Sequence, residues 1–218
     1  MNVVVAESPE LARRERKKRQ LRDALVHAAL ELFEAKGYEH TAVREITDAV
    51  DVSERTFFRY FASKEDLVLS FVGDQIDLFQ QALAARPAAE EPLTAVRNAY
   101  RAMLLAPASR RADGSLPSYT SISRLTESSP ALLAATLRYL HDHDHEIVGV
   151  LAAREGVDPA TDRRPRLLAA LFGTLAALAS QEWRDRGAGG PEVMLESFDA
   201  YAAQLGPALA GHWRPAAG

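Results

Sequence analysis

Along most of this chain apolar residues recur three and four positions apart, the spacing of one face of a helix. Leu21, Leu25, Ala28, Ala29, Leu32 and Phe33 define the first such face, and Gly37 ends it. Val43, Ile46 and Val50 predict a short second helix behind Thr41, which can cap it. Ser53 can cap a third, only about seven residues long, with Phe57 and Phe61 turned inward beside Val52. Ser63 caps a fourth, and Asp66 at its third position makes a capping-box-like pair. That helix carries Leu67, Phe71, Val72, Ile76, Phe79 and Leu83 until "ARPAAEEP" breaks it.

Further on, Pro92, Pro130, Pro159 and Pro191 each stand near the start of an apolar-periodic segment, where a missing N–H costs nothing. They predict helices over about 92–106, 130–154, 160–186 and 191–210. The stretch "APASRRADGSLPS" reads as a loop, with a short helix over about 117–127 after it. No segment alternates like a strand. The expectation is an all-α protein of about nine helices: a flexible basic arm over 1–18, a three-helix head with the start of the next helix over 19–79, and a larger bundle over 80–218.

Composition narrows the chemistry. The chain has 218 residues and a formal charge of −4, so it offers no general surface for polyanions. Positive charge is focused instead in "RRERKKR" at 13–19. Absence of cysteine excludes disulfides and thiolate metal sites and suits a cytoplasmic protein. The N-terminus has its apolar residues before its charges, the reverse of a secretory signal. The most apolar stretch, Leu167 to Ala179, is shorter than the ~20 residues that cross a bilayer.

Two short helices joined by "VDVS" predict a helix-turn-helix with the helix after Ser53 in the recognition position. Its inward phenylalanines leave Arg55, Thr56, Arg59 and Tyr60 on the other side. Arginine can pair bidentately with guanine, threonine offers a hydroxyl and a methyl, and Lys64 at the next helix start can meet a phosphate.

The segment "ALELFEAKGYEHTAVREITDAVDVSERTFFRYFASKEDLV" resembles the DNA-binding head of TetR-type transcriptional regulators. The likeness spans about residues 19–79. It rests on the Gly-Tyr-x-x-Thr link, the Val-Arg-x-Ile helix, the Val-Ser turn and the Phe-x-Ser-Lys-Glu junction, in that order. It implies a homodimeric regulator, most often a repressor, that a small molecule releases from operator DNA. Arg55, Thr56, Arg59 and Tyr60 then become groove and backbone contacts, and Thr41, Arg44, Ser53 and Lys64 phosphate-side contacts, with the 13–19 arm as an addition. Two positions depart from the family pattern. Asp51 stands where glycine is usual, and Phe58 replaces a frequent tyrosine, which removes one phosphate-binding hydroxyl.

For the bundle, Tyr100, Met103, Leu104, Tyr119, Ile122, Leu125, Leu137 and Phe172 are candidates to line an apolar effector cavity. A faint likeness to a branch credited with acyl-CoA-like ligands points to an apolar or amphipathic effector. The family places its last two helices at the dimer interface, which makes Leu171, Gly173, Leu175, Phe198, Tyr201 and Leu205 interface candidates. No cofactor or catalytic motif is present. The "HDHDH" run puts His141 and His145 on one face, as some zinc sites do, but His143 points away and a solvated polar face is the better reading. A helical metal-binding protein or enzyme centred on that run is the alternative from another class, and an activator of the same fold is a third.

Overall fold

The computed structural model describes residues 9–106, 119–187 and 189–210. The described residues form nine helices and no strand: α1 (Pro9–Lys36), α2 (Val43–Ala49), α3 (Glu54–Phe58), α4 (Lys64–Ala84), α5 (Pro92–Leu104), α6 (Tyr119–Glu127), α7 (Pro130–Glu155), α8 (Arg164–Asp185) and α9 (Pro191–Leu209). The loop expected at 106–118 lies, from residue 107, outside the described residues, as do residues 1–8 of the arm.

Residues 13–19 differ from the expected flexible arm. They belong to α1, which runs unbroken from Pro9 at its first turn to Lys36. Arginine, lysine, glutamate, leucine and glutamine are all good helix formers, and no breaker stands between Pro9 and Gly37. At Gly37 the backbone turns to φ +90, a conformation open to glycine, and the chain enters the head.

The helix caps differ in part from the expected ones. Ala42, not Thr41, is the N-cap of α2, and the Glu45 carboxylate accepts from the Ala42 N–H at 2.8 Å. Thr41 is buried, and its hydroxyl donates backward to the Gly37 carbonyl at 2.9 Å. Ser53 caps α3 by accepting from the Thr56 N–H at 3.2 Å. Ser63 caps α4 by accepting from Asp66 N–H at 3.0 Å, and the Asp66 carboxylate accepts from Ala62 N–H at 2.8 Å. Helix α8 begins later than Pro159 suggested. Residues 159–161 form a turn in which the Asp158 carboxylate accepts from Ala160 N–H. Asp162 then accepts from the Arg164 N–H, and Pro165 sits in the first turn.

Two hydrophobic clusters make the interior. The first joins α1, α2 and α3 to the first half of α4 through Leu25, Phe33, Ile46, Phe57, Phe61, Leu67 and Phe71, and takes in Ile122, Leu125 and Leu132 from α6 and α7. The second gathers Phe79 and Leu83 of α4 with Tyr100, Leu151, Leu175, Trp183 and Phe198. Helix α4 therefore lies in both. Against it packs α7, where the Tyr139 hydroxyl comes so near Gly73 that a Cβ there would stand 2.6 Å from it. Polar ties fix the rest: Arg97 of α5 forks onto Asp199 of α9, and Arg184 of α8 meets Glu127 of α6 at 2.6 Å.

Candidate functional site

Helix α3 is too short to persist alone, so its position comes from its neighbours. Phe57 and Phe61 are essentially fully buried, with rings 5.5 Å apart, and hold its inner face. Its entry is fixed by Asp51, the one non-glycine among the described residues with positive φ, at 55. Aspartate tolerates that left-handed turn better than most side chains.

The outer face carries Arg55, Phe58 and Arg59, all exposed. Arg55 has no hydrogen bond or ion pair among the described residues, so its five donors are open. Arg59 lies over the half-buried Tyr60 ring at 5.2 Å, which orients the guanidinium without using its donors. Thr56 is half-buried, and its hydroxyl is 3.0 Å from that of Ser53. Arg44 is exposed on α2 beside Asp48 at 3.7 Å, a contact of little strength between solvated groups.

Two of the eight expected DNA contacts are occupied otherwise. The Thr41 hydroxyl is spent on the Gly37 carbonyl. Lys64 is half-buried: its ammonium donates to the carbonyls of Tyr38 and Thr41, at 2.5 and 2.9 Å, and sits 4.1 Å above the Tyr38 ring. Burial holds its pKa below the usual lysine value, against a smaller opposing pull from Glu39. Burial, then Glu65 and Glu39, push the Tyr38 phenol up to about 12. An ammonium has three N–H donors; Lys64 uses two to tie the start of α4 to the α1–α2 link.

The eight candidates for the effector cavity do not surround one space. Tyr100, Met103, Leu104, Tyr119 and Phe172 pack in the second cluster, Ile122 and Leu125 belong to the first, and Leu137 is 58% exposed on α7. Around Tyr100 the packing is aromatic, with Phe172 stacked on Phe79 at 4.3 Å and edge-on to Tyr100 at 5.5 Å. The buried Tyr100 hydroxyl feels Tyr119 and Ser180, whose own hydroxyls are 3.3 Å apart, yet it has no hydrogen-bond partner among the described residues. Burial is the main reason its pKa is raised. A groove of about 720 Å³ lies elsewhere, between α4 and α5, lined by Leu78, Ala82, Arg86, Arg101, Ala102 and Leu105 among others. Sequence reading missed it, although the alanines facing each other across α4 and α5 were its signal.

The dimer candidates also divide. Leu175 and Phe198 are buried inside the chain's own core, whereas Gly173 is exposed and Leu171, Tyr201 and Leu205 are half-exposed. A Cβ on Gly173 would meet nothing within 4 Å. Beside it Leu167, Ala170, Thr174, Ala177 and Leu178 give α8 an open apolar outer face.

In "HDHDH" the ring nitrogens turn to their own helix: His143 Nδ1 is 2.7 Å from the Tyr139 carbonyl, and His145 Nδ1 2.8 Å from that of Asp142. Among the described residues no three His, Asp or Glu side chains gather to hold a metal ion. No described helix is long and apolar enough to cross a membrane.

These features match known proteins. The family model described as bacterial regulatory proteins, tetR family, matches residues 25–71, and that described as the MftR C-terminal domain matches residues 90–209. The chain is 41% identical over 206 residues to the HTH-type transcriptional regulator TcmR of Streptomyces glaucescens, covering 92% of this chain and 89% of that one. It is 35% identical over 79 residues to the HTH-type transcriptional repressor KstR of Mycolicibacterium smegmatis, covering 35% and 36%. The fold resembles that of Thermus thermophilus FadR, a TetR family transcriptional repressor solved in complex with lauroyl-CoA. The TM-score is 0.55 at 22% identity, over 90% of this chain and 99% of that one. The chain belongs to the TetR family of bacterial regulatory proteins. It is a DNA-binding transcriptional regulator, not an enzyme.

Proposed function

We propose that this protein is a cytoplasmic homodimeric repressor that sets two copies of α3 on a near-palindromic operator and leaves it when an apolar or amphipathic effector, acyl-CoA-like in character, binds the bundle. The observation that carries this reading is the double membership of α4. One end, at Lys64, is tied to the head, and the other, at Phe79 and Leu83, lies in the bundle core. A ligand that moves the bundle end must move the head end of the same rigid element. It does so only if it binds the two arrangements unequally, and a coupling of about 1–3 kcal/mol, or about 5–150-fold, is ordinary.

Arg55 and Arg59 supply the base-reading and phosphate-binding chemistry, with Arg44, Ser53, Thr56 and Tyr60 flanking them. The open face of α8, continued by Tyr201 and Leu205 of α9, supports pairing with a second copy, because an apolar helix face of that length favours a partner over water. The test is selection of bound duplexes from a random pool, followed by titration with Arg55→Ala. The expected result is a near-palindromic site, and a loss of about 1–3 kcal/mol with relaxed preference at one base position. Unchanged affinity and preference in Arg55→Ala would remove α3 from the recognition role. Screening apolar and acyl compounds against the bound complex then tests the effector half, which fails if none of them releases DNA.

A further inference from the structure

Phe58 is the one large apolar side chain in the described head that the fold leaves in solvent, at 52% exposure. It does not anchor α3, because Phe57 and Phe61 already do so from full burial. Its ring stands edge-on to that of Phe57, 5.4 Å away at 85°, which restricts the ring's orientation while leaving its outer face open. With about 3.6 residues per turn, Phe58 lies on the outward side of α3 together with Arg55 and Arg59. A rigid apolar surface flanked by two guanidiniums is costly to leave in water and useless to a phosphate, since a phenylalanine has no donor.

We propose that Phe58 determines specificity by packing its open face against the C5-methyl group of a thymine in the operator half-site. The inference rests on the assignment of α3 to the major groove. Among base edges in that groove, the thymine methyl is the apolar feature, and phenylalanine is among the side chains suited to it. The two arginines read polar edges or backbone on either side. Phe58 therefore supplies discrimination where a tyrosine at this position would supply a backbone hydrogen bond.

The experiment uses the full chain and a duplex that it selects from a random pool. Each thymine of the half-site is replaced in turn by deoxyuridine, which keeps every hydrogen-bonding group and lacks only the methyl. At one thymine, affinity should fall about fourfold per half-site, the equivalent of ~0.8 kcal/mol for one buried methyl-sized group. The same replacement should have no effect on Phe58→Ala, and Phe58→Leu should keep part of the discrimination. Circular dichroism of both variants checks that the head stays folded, since Phe58 meets its core only edge-on at Phe57. The proposal is overturned if no thymine is sensitive, if the selected half-site has none, or if Phe58→Ala discriminates as the natural protein does. Arg55→Ala run alongside separates the two failures. If it binds normally, the groove assignment itself is wrong; if it binds weakly while uracil is tolerated everywhere, only the role of Phe58 is wrong.

Discussion

Replacing Lys64 by methionine keeps most of the length of the side chain and removes its charge and donors. The structure makes that change a test of whether Lys64 is mainly a clamp or mainly a phosphate ligand. Two hydrogen bonds from a charged donor, to the Tyr38 and Thr41 carbonyls, contribute about 1.5–3 kcal/mol each before offsets. The contact over the Tyr38 ring adds about 0.5–1 kcal/mol. Against these stand the dehydration of the ammonium and its place in the first turn of α4, where a cation opposes the helix dipole by about 0.3–1 kcal/mol. Water can also reach the vacated carbonyls, because Lys64 is only half-buried. The net destabilisation of Lys64→Met is then about 2 kcal/mol, or a fall of about 4–8 °C in melting midpoint for a chain of this size. Thermal unfolding followed by circular dichroism gives that number, and operator titration at several salt concentrations gives the other. An unchanged midpoint, with affinity lost and the salt slope reduced by about one, would refute the clamp and restore Lys64 to the phosphates.

Other outcomes follow from the same contacts. Gly173→Arg should leave the monomer folded, since its Cβ has open space, yet it puts a charge on the α8 face; sedimentation should show monomers, and an intact dimer would place the interface elsewhere. Tyr100→Phe removes a buried hydroxyl that has no partner among the described residues, so ligand-free protein should melt at the same or a higher temperature. A clear loss of stability would mean that the hydroxyl is bonded after all. Tyr38 holds its proton up to about pH 12 in the folded chain and to about 10 when unfolded. Its contribution is therefore complete below about pH 10 and is lost as pH rises through that window. Tyr38→Phe should flatten that alkaline decline, measured by denaturant titration at stepped pH.

Sequence alone determined the helices, because their signals are local. Prolines 92, 130 and 191 and serines 53 and 63 act on the backbone within one turn of themselves, and each lies at the boundary that it marked. Pro159 misled because the Asp158 and Asp162 carboxylates offer competing hydrogen bonds over the same few residues. The order of motifs over 29–68 was likewise enough to name the family. Tertiary structure decided what each apolar or polar side chain meets. Leu175 and Phe198 read like Leu167 or Leu178 by spacing, but the packing of α8 on α9 buries the first pair and leaves the second outside. Leu137 fits a helical apolar stripe and still faces solvent, because no described element covers that part of α7. Lys64 shows the limit most directly. Its carbonyl partners lie 26 and 23 residues earlier in the chain, and only the folding of the α1–α2 link against the start of α4 brings them within reach of its ammonium.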